Sequence, residues 1–164
     1  MKIKHMTRSA AIAALYVILT YVSNSVGLSN GAIQVRLSEA LTILPYYTFD
    51  ACMGLFLGCI IANTLTGCVL IDIIFGSIAT LIGAIGTYLI SKRHKKTKWI
   101  ASLPPILSNS LIIPFIIRYA YVGASGSLPV LILSVAIGEI ISSGILGTLL
   151  LKALTGYKHI LFED

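Results

Sequence analysis

The sequence predicts an all-α integral membrane protein, and three observations carry that prediction. Apolar residues make up 57% of the chain and charged residues only 11%, where a soluble domain carries about 25% charged residues. Mean hydropathy is +0.94. The apolar residues fall into long runs, and a chain of 164 residues has room for about six crossings of roughly 20 residues each. Residues 1–164 are therefore expected to form a single membrane domain of six transmembrane helices, with no separate soluble domain.

The elements follow in order. A short basic leader, with Lys2, Lys4, His5 and Arg8, precedes a first span over about 9–27. That span leads into a polar loop and further spans, unlike a cleavable signal. Residues 28–36 read as a loop with Asn30-Gly31 as its turn signal. The second span, about 37–48, is too short to cross upright, and Pro45 shortens its regular part. A tilted or partly re-entrant segment fits that length. The third and fourth spans cover about 51–68 and 70–90, and a basic run, Lys92 to Lys98, follows. The fifth, about 99–121, is interrupted by Pro104-Pro105 and Pro114. After a Gly/Ser loop at 123–127, Pro129 suits the first turn of the sixth span, about 128–151.

Charge orients these spans. With the N-terminus inside and six crossings, ten of the twelve Lys and Arg residues lie inside and only Arg36 and Arg118 outside. That is a strong positive-inside bias, and it places both termini in the cytoplasm. The net charge of +6 belongs to these loops and not to a nucleic-acid surface.

The same topology distributes the polar residues unevenly. Gln34, Arg36 and Glu39 open the second span from outside. Asn63 lies near the outer end of the third, Asp72 opens the fourth, and Arg118 and Tyr119 close the fifth. Asn109 and Glu139 lie nearer mid-depth. A carboxylate at the centre of a span costs about 2.5–3.5 kcal/mol on insertion scales, so an outward-facing pocket for a polar ligand accounts for the pattern. Plainer readings stand beside it. Arg36 and Glu39, three apart, suit a pair along one helix face. Asp72 and Arg118 suit the water boundary, and Asn63, Asn109 and Glu139 suit interhelical hydrogen bonds.

Small residues mark packing faces: Ala10, Ala13 and Ala14 in the first span, Gly54 and Gly58 in the third, and Gly76, Ala79 and Gly83 in the fourth. The last two sets read as packing within the chain and the first as a candidate surface for a partner. Cys52, Cys59 and Cys68 lack metal or redox spacing, so neither metal nor cofactor is expected. No phosphate-binding loop or hydrolase motif occurs, and no histidine falls within a span. An enzyme is therefore not expected.

The block Ala-Ile-Gln-Val-Arg-Leu-Ser-Glu-Ala-Leu-Thr-Ile-Leu-Pro (32–45), with Ala-Ala-Ile-Ala-Ala-Leu-Tyr-Val (10–17), Ile-Ala-Asn (61–63) and Asp-Ile-Ile-Phe-Gly-Ser-Ile-Ala-Thr-Leu (72–81), resembles the QueT family. These are substrate-binding S components of energy-coupling factor (ECF) transporters, associated with queuosine precursors. The resemblance implies an S-component-like bundle in the plasma membrane. It implies a substrate held near the outer face under the loop between the first two spans. It also implies docking of Ala10 and Ala14 on a T component, with two ATPases supplying the energy. A queuosine precursor is a 7-deazaguanine, such as the 7-aminomethyl compound. Its paired N–H donors suit Glu139, its carbonyl suits Asn109 or Gln34, and an amine suits Asp72 or Glu39. An S component for a vitamin, and a structural subunit without ligand, remain the alternatives.

Overall fold

The computed structural model describes residues 2–28, 33–93, 98–121 and 126–162. The Asn30-Gly31 turn, the centre of the basic run and most of the 123–127 loop lie outside the described residues. Most of the described chain is helical: α1 (Lys2–Ser25), a 3₁₀ segment (Leu37–Tyr46), α2 (Asp50–Leu65) and α3 (Leu70–Arg93). A 3₁₀ turn (Lys98–Ser102) then leads into α4 (Leu103–Ala120). Next come α5 (Leu128–Glu139), a π-helical stretch (Ile140–Leu146) and α6 (Gly147–Leu154), followed by the single turn α7 (Lys158–Leu161). The stretch from Leu128 to Leu154 forms one apolar rod, and among the described residues four helical stretches are long and apolar enough to cross a membrane. At 16 residues, α2 is shorter.

The bundle is greasy outside and polar inside. Leu57, Ile74, Phe75, Leu111 and Leu133 are exposed, whereas Ser38, Glu39, Thr42, Ser77, Thr80 and Ser143 are buried. This reverses the pattern of a soluble domain. It is what a chain surrounded by lipid does with its polar groups. The molecule is an all-α, multi-pass membrane bundle.

The second segment departs from a tilted or re-entrant α-helix. It is a 3₁₀ helix of ten residues, about 20 Å long at roughly 2.0 Å per residue. The same residues as α-helix would reach only about 15 Å. Stretching compensates for length, and burial permits it. Leu41, Ile43 and Leu44 are enclosed, because the segment threads between the other helices. Irregular backbone is tolerated at membrane depth where protein and not lipid surrounds it. The interruptions expected in the fifth span are milder than its prolines suggest. Pro104 and Pro105 sit in the first turn of α4, and the helix continues through Pro114.

Small residues set the helix spacing. A Cβ on Gly58 would lie 2.9 Å from Tyr16 Cβ and 3.0 Å from Ala13 Cα, so α1 and α2 touch nearly backbone to backbone. The glycines of α2 and α3 thus serve packing inside the chain. On α1, Ala13 faces inward, and Ala10 and Ala14 are exposed.

At one end of the bundle, Asp50 ties α2 to α1. Its carboxylate accepts from Arg8 Nη1 at 2.9 Å and pairs with His5 Nδ1 at 2.9 Å. At the same end, Tyr47 donates to the Leu151 carbonyl at 2.8 Å and stacks on Phe162. The other end holds the ends of α1, α2 and α4 and the start of α3, and a hollow opens between them.

Candidate binding site

The hollow has two connected parts. The outer one encloses about 340 Å³ and is lined by Asn24 from α1, Gln34 and Arg36 from the segment after it, and Thr66 to Cys68 from the α2–α3 turn. Asn63, Asp72, Ile113 and Tyr121 complete it. The inner one encloses about 20 Å³, room for about one water. It ends on Glu39, Asn109 and Glu139. Gln34, Arg36, Asn63 and Ile113 border both.

Each wall follows from local structure. Residues 34–36 are outside any helix, and Arg36 is extended. Gln34 and Arg36 both reach the hollow. The segment is held by Val35 N–H donating to the Leu28 carbonyl at 3.0 Å and by Leu37 N–H donating to Ser23 Oγ at 2.8 Å. Its backbone lies directly on α5 at Gly138, where any Cβ would overlap the Gln34 carbonyl oxygen. The next residue on α5 is Glu139, and the π stretch begins immediately after it. That stretch meets the 3₁₀ segment through Ser143 Oγ and Thr42 Oγ1, 2.9 Å apart. The two irregular helices thereby bring Glu39 and Glu139 to the same depth.

Asn109, on α4, joins the two acids. Its Nδ2 donates to Glu139 Oε1 at 2.8 Å and to Glu39 Oε2 at 3.2 Å. The other oxygen of Glu39 accepts from the Tyr16 hydroxyl at 2.5 Å. All four residues are buried. This leaves Asn109 Oδ1 and Glu139 Oε2 as buried acceptors with no donor among the described residues. Toward the opening, Tyr121 donates to Asp72 Oδ2 at 2.6 Å, and Asp72 Oδ1 is likewise without a donor.

All seven residues singled out in the sequence, namely Gln34, Arg36, Glu39, Asn63, Asp72, Asn109 and Glu139, border this one hollow. Arg118 and Tyr119 are exposed and line neither part. Three expectations change. Arg36 and Glu39 form no ion pair; the carboxylate is turned to Tyr16 and Asn109 instead. Both oxygens of Glu39 are engaged, so it is not placed to meet an amine. Both amide hydrogens of Asn109 are used on carboxylates, so Asn109 presents an acceptor and not a donor to a ligand. Tyr16 and Tyr121 were not legible as site residues, because a tyrosine in an apolar run carries no sign of where its hydroxyl points.

The chain matches a family model described as QueT transporter over residues 6–156. A stretch of 73 residues, 44% of this chain, is 37% identical to the queuosine precursor transporter QueT of Lactococcus lactis subsp. cremoris (strain MG1363). The match covers 43% of that protein's length. No solved structure matches.

Proposed function

Because the chain belongs to the QueT transporter family, we propose that it is the substrate-binding S component of an ECF importer, taking up a 7-deazaguanine precursor of queuosine. Its place in a transporter family makes it a transporter and not an enzyme; energy comes from ATP hydrolysis by partner subunits. The observation that carries the substrate reading is the pair of open acceptors, Asn109 Oδ1 and Glu139 Oε2, at the closed end of the hollow. A guanine edge offers two adjacent N–H donors. A buried acceptor without a donor costs about 1–3 kcal/mol, and two N–H groups relieve both. Gln34, an amide that borders both parts of the hollow, donates to the ring carbonyl.

The hollow opens at the end of the bundle opposite Asp50, Lys92, Arg93 and Lys152. Positive-inside orientation then turns it outward, in the plasma membrane. In this reading the 3₁₀ segment and α2 complete six crossings, and Ala10 and Ala14 on the exposed side of α1 meet the T component, with two ATPases beneath it.

Thermal unfolding of the purified protein with deazaguanines, guanine and a set of vitamins tests the proposal. A rise in melting temperature with deazaguanines supports it. A rise only with a vitamin assigns another ligand, and no response to any compound points to a structural subunit.

A further inference from the structure

Acidic groups outnumber basic ones around the hollow. Three carboxyl groups border it, Glu39, Asp72 and Glu139, against one guanidinium, Arg36. A buried charge is strongly disfavoured unless paired.

The open oxygen nearest the outer hollow belongs to Asp72. Its side chain is 4% exposed, and Tyr121 fixes the carboxylate through Oδ2. The free Oδ1 lies against α3 at Gly76, where a Cβ would meet it at 2.9 Å and Asn63 Nδ2 at 3.3 Å. Gly76 itself lines the inner part. Asp72 thus lines the outer part while its free oxygen reaches back along α3 to the rim of the inner part, which Glu139 also lines.

We propose that Asp72, oriented by Tyr121, selects the ligand by charge, accepting a primary ammonium and so favouring the aminomethyl deazaguanine over its neutral nitrile counterpart. This rests on the deazaguanine reading and adds to it which precursor is taken. Arg36, the one cation in the hollow, would face the ring and its carbonyl, while Asp72 faces the substituent. A neutral nitrile leaves Asp72 Oδ1 without a donor.

The test is equilibrium binding of 7-aminomethyl-7-deazaguanine, 7-cyano-7-deazaguanine and the N-acetylated aminomethyl compound to the wild type, Asp72→Asn and Tyr121→Phe. The wild type should bind the aminomethyl compound about tenfold to a hundredfold tighter than either neutral compound, the range expected of a charged hydrogen bond. Asp72→Asn should bring the three affinities close together mainly by weakening the aminomethyl compound, and Tyr121→Phe should reduce the preference in part. If Asp72→Asn does not fold, the wild-type comparison with the nitrile compound decides, since the nitrile is uncharged and no larger than the aminomethyl group. Equal wild-type binding of charged and neutral compounds overturns charge selection while leaving deazaguanine uptake standing; so does a preference that survives in a folded Asp72→Asn. Binding of none of the three removes the deazaguanine reading and this inference with it.

Discussion

At the scale of single residues, the site depends on Asn109 and Tyr16 as much as on the acids they hold. Tyr16 is 1% exposed, and its hydroxyl takes one oxygen of Glu39 as Asn109 takes the other. Glu39 can therefore neither turn toward the ligand nor release Asn109. Tyr16→Phe is expected to weaken deazaguanine binding about tenfold, the cost of a lost hydrogen bond to a charged group, with the helical content unchanged by circular dichroism. Unaltered affinity in a folded Tyr16→Phe would remove it from the site. A second residue-level prediction concerns the other end of the bundle. Burial raises the pKa of Asp50, but hydrogen bonds from His5, Thr48 and Arg8 outweigh burial and hold the carboxyl below its ordinary value. A lowered pKa stabilises the fold above the unfolded value, about 3.9 for Asp. The stabilisation is lost as pH falls through the folded value. The wild type should thus melt above Asp50→Asn at neutral pH, and the gap should close below about pH 4. A gap that persists in acid would contradict the clasp. The sequence displayed the acids and amides plainly, because an ionisable residue in an apolar run is conspicuous. It did not display their pairing, which depends on side-chain rotations that no spacing encodes.

At the scale of elements, the unusual helices do the placing. The 3₁₀ segment and the π stretch touch through Thr42 and Ser143 and set Glu39 beside Glu139. Shortness of the second span was legible from Leu37, Pro45 and Thr48; its 3₁₀ form was not, because local propensity does not select it and enclosure by other helices does. The π stretch left no mark in Ile140 to Leu146, a sequence that reads as ordinary helix. The inner hollow is too small for a bicyclic ring, and the wall least committed to helix is the strap at 34–36. Gly138 is its seat. Gly138→Ala should lift the strap and speed ligand release about tenfold. Gly144→Ala, where the new Cβ would lie no nearer than 3.6 Å to a neighbouring side chain, should release ligand as the wild type does, with overpacking of about 1–3 kcal/mol confined to Gly138→Ala. Stopped-flow displacement measures both, and equal release rates would detach the strap from the site. Gly58, by contrast, was legible as a packing residue. A leucine there would push α1 from α2 and should lower the melting temperature clearly.

At the scale of the whole molecule, polarity and charge are segregated along one axis. The hollow opens at one end, and Lys92, Arg93 and Lys152 gather at the other. The sequence made this axis legible because loop charge is counted without knowing any contact. What a partner would meet follows from α1, whose Ala10 and Ala14 are exposed side by side, one turn apart. Replacing both by leucine is expected to abolish co-purification with the proposed T component and ATPases while deazaguanine binding to the isolated chain stays unchanged. Retained co-purification would place the partner on another face.

The account turns on the two open acceptors at the closed end of the hollow, and titration with a pair of ligands tests them directly. A 7-deazaguanine and the matching analogue without the exocyclic amino group differ only in the second donor. The wild type should bind the amino compound about tenfold or more tighter, as a site built to hydrogen-bond a group rejects the analogue lacking it, and Glu139→Gln should erase the difference. Equal wild-type affinity for the two would contradict the role given to Glu139 and Asn109.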